Sequence, residues 1–321
     1  MGAGEMAGQK ANWTRRDWHA ACGAMALGLT ARPIPAASFS GLAEGDWIDA
    51  HVHVWTPDLN RYPIQPQFTV DQMVPRSFTP EELFAHCRPS GVQRVVLIQM
   101  SYYGTDNRYM LDQIAAYPGV FSGVGIVDHR IDKLPEAIDH LAEHGVKGLR
   151  IHPTSSEEAK GWVQDAGMNR LWSHCGKTGV AVCPLINPGD LEAIDQLAEK
   201  HRDTTVVIDH FARIGVSGSI EEDRLQKLCS LARHPKCYVK TSAFYALGKK
   251  QAPHDDLIPM IRRLLDTYGP QRLMWASDCP YQVQSPHAYD PSIALVRDRI
   301  DFLSPSDRQW MLRDTAAKVF F

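Results

Sequence analysis

Eight short apolar runs, each followed by a helix-like segment, constrain what this chain can fold into more than any other feature. They fall at residues 47–54, 94–100, 121–127, 146–151, 180–186, 204–209, 237–241 and 272–277. Continuous apolar runs of this length suit strands buried on both faces of a parallel sheet. The helical patterns between them cover 80–87, 107–117, 134–144, 169–177, 190–201, 221–233 and 255–268. Thr79-Pro80-Glu81-Glu82 reads as a helix start, and Gly145, Gly179 and Gly269 fall where helices should stop. After the eighth run, 291–302 and 305–320 read as terminal packing helices. Eight βα units predict a (β/α)8 TIM-type barrel. An open doubly wound sheet is the alternative, but no G-x-G-x-x-G follows the first run.

With 321 residues, 44% of them hydrophobic, the chain can bury a barrel-sized core. A net charge of -3 without a long basic run argues against nucleic acid or an anionic membrane as the main partner. No run is long and clean enough to span a bilayer. The seven cysteines form no C-x-x-C pair, so neither a structural zinc module nor a disulfide framework is expected. Residues 1–40 differ in composition from the rest. Arg15-Arg16, a mildly apolar stretch and then small residues resemble a twin-arginine export signal. The other reading is a disordered extension before a barrel domain at 41–321. Export to the periplasm follows from the first reading and a cytoplasmic protein from the second.

In a barrel the chemistry gathers at the C-terminal ends of the strands. His51 and His53 lie there on strand 1, and alternation puts Asp49 on their face. Strand 4 supplies Arg150 and His152. Strand 6 ends in Asp209-His210, followed by Arg213; strand 7 supplies Lys240 and Ser242; strand 8 runs into Asp278 and then Tyr281. Each residue taken singly can be structural, and this many buried polar groups need partners or a ligand. Asp209 reads as structural, facing away from a strand-continuing His210. Arg150 and Arg213 read either as barrel-closing ion pairs or as a carboxylate clamp. The long, Pro-rich first loop, 56–77, is expected to help form the active site.

These residues resemble the amidohydrolase superfamily, in its amidohydrolase-related branch, which includes lactonases of the 2-pyrone-4,6-dicarboxylate hydrolase and fuconolactonase type. The resemblance rests on Ile48-Asp-Ala-His-Val-His53, Gly148-Leu-Arg150, Ile208-Asp-His210-Phe-Ala-Arg213, Tyr238-Val-Lys240-Thr-Ser242 and Met274-Trp-Ala-Ser-Asp278-Cys-Pro-Tyr281. The C-terminal Asp314-Thr-Ala-Ala317 is also similar, and the likeness covers about 47–321. It implies a hydrolase with His51, His53, His210 and Asp278 around one divalent metal, zinc by type. Asp278 is then the base for a water, with His210 stabilising the oxyanion or protonating the leaving oxygen. Arg150, Arg213, His152, Lys240 and Tyr281 are the implied substrate-binding residues, for a small anionic lactone or related ester, in a possible homo-oligomer. Strand 5, Val180-Ala-Val-Cys183, lacks the histidine that many members carry, and Lys147 lies at the wrong end of strand 4. A two-metal site is therefore not expected. Cys183 could join a mononuclear one, or a metal-free site could use His51 and His53 as donors to the carbonyl. A decarboxylase and a non-catalytic binding barrel are the rival readings.

Overall fold

The computed structural model describes residues 46–321. The export-signal reading at Arg15-Arg16 and the domain boundary at 40/41 lie outside those residues. Eight parallel strands pair in chain order: β1 (Trp47–Val52), β2 (Val92–Ile98), β3 (Phe121–Gly125), β4 (Val146–Ile151), β5 (Ala181–Pro184), β6 (Val206–Ile208), β7 (Cys237–Ser242) and β8 (Leu273–Ala276). A parallel bridge between Val52 and Cys279 brings β1 against the end of β8. His53 N donates to Cys279 O at 2.8 Å and Asp278 N to His51 O at 2.9 Å. The sheet thus closes at the end where the candidate residues lie, and the expected barrel is the observed one.

Two buried clusters follow from the alternation of side chains. Ile48, Ala50, Val96, Ile98, Val124, Ala181, Cys183, Val207, Met274 and Ala276 fill the barrel interior. Ala316 and Phe320, from the C-terminal helix Thr315–Phe320, pack against them and plug one end. Tight space explains Gly148: a Cβ there would stand 3.0 Å from Cys183 Sγ. The larger cluster lies between the strands and the surrounding helices. Those helices start as their sequences suggest. Thr79 accepts from Glu82 N while Glu82 accepts from Thr79 N, a reciprocal cap ahead of Pro80–Cys87.

One expectation about strand phase fails. Ile48 and Ala50 face the interior, so Asp49 faces the helices, where its carboxylate accepts from Ser277 N (2.9 Å) and Tyr289 OH (2.7 Å). The β1–β2 register then shifts between Asp49 and Val52. That irregularity inverts the alternation. His51 and His53 therefore turn inward although Asp49 does not. Asp49 instead tethers β8 to β1, and burial pushes its carboxyl up to about 6.

Candidate active site

At the strand ends, a compact charge network surrounds His51. Asp209, fully buried, continues the inward face of β6 after Val207. Its carboxylate meets Lys240 Nζ at 3.0 Å, Arg150 Nη2 at 3.1 Å and His51 Nδ1 at 3.4 Å. Burial alone would raise its pKa. The Lys240 ammonium, then His51 and Arg150, hold it well below the usual carboxylate range. Asp209 is thus an ion-pair centre on the inward face, which corrects the expectation that it faces away from His210.

His210 reaches the same point by a different route. Residues His210, Phe211, Ala212 and Arg213 all have positive φ, from 50° to 60°. This is one left-handed turn, which costs L-residues roughly 1–2 kcal/mol each. It places His210 and Arg213, three residues apart, on the same cavity wall. Asp278 is also left-handed, at φ 65°, two residues after the end of β8. Strain concentrated at these positions is what a functional site can hold.

The histidine partners fix which ring nitrogens carry protons. His53 Nδ1 lies 2.9 Å from Ile98 O, an obligate acceptor, so Nδ1 is the donor and Nε2 keeps its lone pair. His51 Nε2 accepts from Arg150 Nη2 at 2.8 Å, which leaves its proton on Nδ1, where Asp209 Oδ1 stands at 3.4 Å beside Lys240 Nζ at 3.2 Å. His210 Nδ1 pairs with Ser242 Oγ at 2.8 Å. Ser242 can pass its own proton to Lys240 O, 3.4 Å away, and so accept from His210. Three imidazoles thus present bare Nε2 atoms, each oriented from behind by an acceptor, as in histidine metal sites. Burial pushes the pKa of all three down, that of His210 to about 4, so all are neutral at pH 7.

These lone pairs converge with a carboxylate. His51 Nε2 and His53 Nε2 are 3.4 Å apart, and each lies 3.5 Å from Asp278 Oδ1, a buried oxygen with no hydrogen-bond partner among the described residues. The centre of a triangle with these sides is about 2 Å from each corner, the length of a zinc–nitrogen or zinc–oxygen bond. His210 Nε2 stands 3.7 Å from Asp278 Oδ2. His51, His210 and Asp278 can each offer one ligand atom, all within 4.8 Å of one another. The donor set therefore fits a divalent cation, with the Arg150 guanidinium competing for His51 Nε2. A clamp in which His53 donates to a carbonyl does not fit, because its proton is spent on Ile98 O. Cys183 does not fit either: it is packed among the apolar residues of the barrel interior and does not join the group whose ligand atoms converge.

Asp278 itself is ionised. Burial opposes this; a positive charge on any of the neighbouring His210, His53 and His51, or a cation held between them, draws the carboxyl well below the usual range. Tyr245 OH donates to its Oδ2 at 2.7 Å. Tyr245 was not apparent from the sequence. It lies in the short turn Phe244–Ala246 after β7, entered through Ala243 at φ 56°, and nothing local marks it as facing strand 8.

A cavity of about 1040 Å³, including its part open to solvent, lies over this cluster. His53, Arg150, His152, His210, Arg213, Asp278 and Tyr281 line it. Lys240 does not. Fully buried behind His51, it holds Asp209 and lies under the Phe320 ring, which corrects its expected role in touching substrate. His152 lines the cavity with its Nδ1 spent on Leu185 O at 2.7 Å. Arg213, near Asn187 Oδ1 at 3.2 Å, remains cationic, although burial brings it down to about 10. The first loop contributes no lining residue; Trp55 and Phe78 pin its ends together. The wall comes from the segments after β3 and β4 instead, through Val127, His129, Glu158 and Trp162.

Comparison with known proteins agrees with this architecture. The amidohydrolase family model matches residues 48–321. An L-fucono-1,5-lactonase from Burkholderia ambifaria is 30% identical over 247 residues, which cover 76% of this chain and 83% of that protein. A 2-pyrone-4,6-dicarboxylate hydrolase from Comamonas testosteroni is 26% identical over 293 residues, covering 85% and 90%. A crystal structure from Pseudomonas putida, provisionally assigned as a 2-pyrone-4,6-dicarboxylic acid hydrolase, superposes with a TM-score of 0.69 at 25% identity, covering 87% of this chain and 98% of that one.

Proposed function

The chain belongs to the amidohydrolase family, and on that premise we propose that it opens the ring of a small anionic lactone with a water activated by Asp278. The observation that carries this reading is an ionised, buried Asp278 facing bare imidazole nitrogens beneath a cavity that also holds Arg150 and Arg213. The relatives named lactonase or lactone-ring hydrolase support the reaction class.

Asp278 takes a proton from the water as its oxygen attacks the acyl carbon. The ring C–O bond breaks, and the alkoxide oxygen takes that proton back from Asp278, so a lactone and a water become a hydroxy acid. Tyr245 holds Asp278 Oδ2 throughout. Arg150, at the cavity wall, faces the charge that develops on the carbonyl oxygen. His210, neutral and with its proton turned to Ser242, contributes a lone pair; it does not protonate the leaving group. A single divalent ion, zinc by the nitrogen-rich donor set, would be held by His51, His53, His210 and Asp278, where it supplies Lewis-acid polarisation. Arg213 binds the substrate carboxylate.

Two tests belong here. The working forms are the Asp278 carboxylate and the neutral histidines, and both are lost by protonation as pH falls. Because His210 sits near 4, kcat/KM for lactone opening should stay level from pH 8 down to about pH 5.5. It should then fall through an apparent pKa near 4. In the metal-free chain the His210 ring should likewise titrate near 4 by NMR; a ring titrating at 6–7 there would defeat the assignment of buried, neutral ligands.

The second test concerns Arg150, which shares His51 Nε2 with any ion. Arg150→Met should tighten Co²⁺ binding at least tenfold, read by the visible absorption of the bound cobalt. The exposed His140–Glu143–His144 group is a separate possible ligand set. Both chains should therefore carry His144→Ala. Unchanged or weaker binding in Arg150→Met would remove Arg150 as the competitor.

A further inference from the structure

Besides its charged groups, the cavity has a carbon lining. Ile126, Val127, Trp162, Met168 and Leu185 face it. Trp162 is 3% exposed and its indole N–H is itself buried, so what it offers the cavity is ring carbon. Several polar groups on this side already have partners within the protein. Glu158 accepts from Thr154 N at 2.7 Å and Thr154 Oγ1 at 2.6 Å, His152 is held by Leu185 O, and His129 faces Asp165 at 3.6 Å. A ring bearing several hydroxyls would lose water at each of them and find few replacements here. An apolar group would lose nothing and gain burial, roughly fourfold in affinity for each methylene covered.

We propose that the substrate carries, besides its carboxylate, an aryl or short alkyl arm that lies on Trp162 and Met168. This sets it apart from polyhydroxylated sugar lactones and from ring dicarboxylates. The inference rests on the lactonase reading above and narrows its substrate class. Arg213 takes the anion, Arg150 faces the carbonyl oxygen, the acyl carbon lies over Asp278, and the arm points towards the segments after β3 and β4. Trp162 is a specificity-determining residue in this arrangement.

The test uses the full chain and three 1,5-lactones: one with a carboxylate and a phenyl arm, the same ring without the arm, and an uncharged polyhydroxylated lactone. The phenyl compound should have the highest kcat/KM, by at least tenfold over each of the others. Trp162→Ala should bring the ratio of the first two to within threefold, and Trp162→Phe should keep it. Equal or better turnover of the polyhydroxylated or armless lactone overturns the proposal.

Calorimetry with the matching unreactive lactams reads the pocket without turnover. Tighter binding of the phenyl lactam when no lactone is opened would defeat the lactonase reading and leave the arm site standing. Equal binding of all three lactams would overturn the arm site whatever the turnover.

Discussion

Asp278→Asn is expected to lower kcat/KM for lactone opening by roughly 10³-fold while the protein remains folded. An amide cannot accept the proton of the attacking water, so the loss is in the chemical step and appears in kcat. The fold should survive for three reasons. Asparagine has the same shape and can still accept from Tyr245 OH. The backbone bond from residue 278 to His51 O does not involve the side chain. The left-handed φ of 65° is one that asparagine adopts more readily than most residues. Circular dichroism and the thermal midpoint should therefore match the parent chain. Near-normal turnover in a folded Asp278→Asn protein would remove Asp278 as the base.

Asp209→Ala should do the reverse, damaging stability first. Its carboxylate compensates Lys240, which is fully buried, and pairs Arg150 as well. Deleting it leaves an ammonium with no counter-charge in the barrel interior, a change that costs about 3–5 kcal/mol. The thermal midpoint should drop by roughly 10 °C at the slope usual for large domains. Lys240→Met makes the contrast. It removes the buried cation and leaves Asp209 paired with Arg150, so its loss should be smaller than that of Asp209→Ala. Equal losses in the two variants, or a midpoint unchanged by Asp209→Ala, would show that Asp209 is not the centre of the network.

What the sequence revealed and what it hid have physical causes. Strands buried on both faces read as plain apolar runs, so all eight were legible and the barrel followed. His51 and His53 were legible because they are two apart on one strand. Asp49 was misplaced because an irregularity between Asp49 and Val52 inverts the phase, and alternation carries no mark of such a shift. His210 and Arg213 share a wall through a left-handed turn built without glycine, so the usual signal for that backbone was missing. The roles of Asp209 and Lys240 depend on partners from other strands, and Tyr245 meets Asp278 across 33 positions of chain. The first loop looked like part of the active site because of its length and proline content. The segments after β3 and β4, which form the wall, carry no comparable signature.

The central claim is that a water activated at Asp278 hydrolyses a lactone. It is tested most directly by incubating the full chain with a carboxylated lactone in H₂¹⁸O, while recording the ring-opened acid by mass spectrometry and the carbon dioxide released. The account expects a hydroxy acid carrying one ¹⁸O in its new carboxylate, no carbon dioxide above background, and loss of both product and label in Asp278→Asn. Release of carbon dioxide, or ring opening that persists in a folded Asp278→Asn chain, would contradict it.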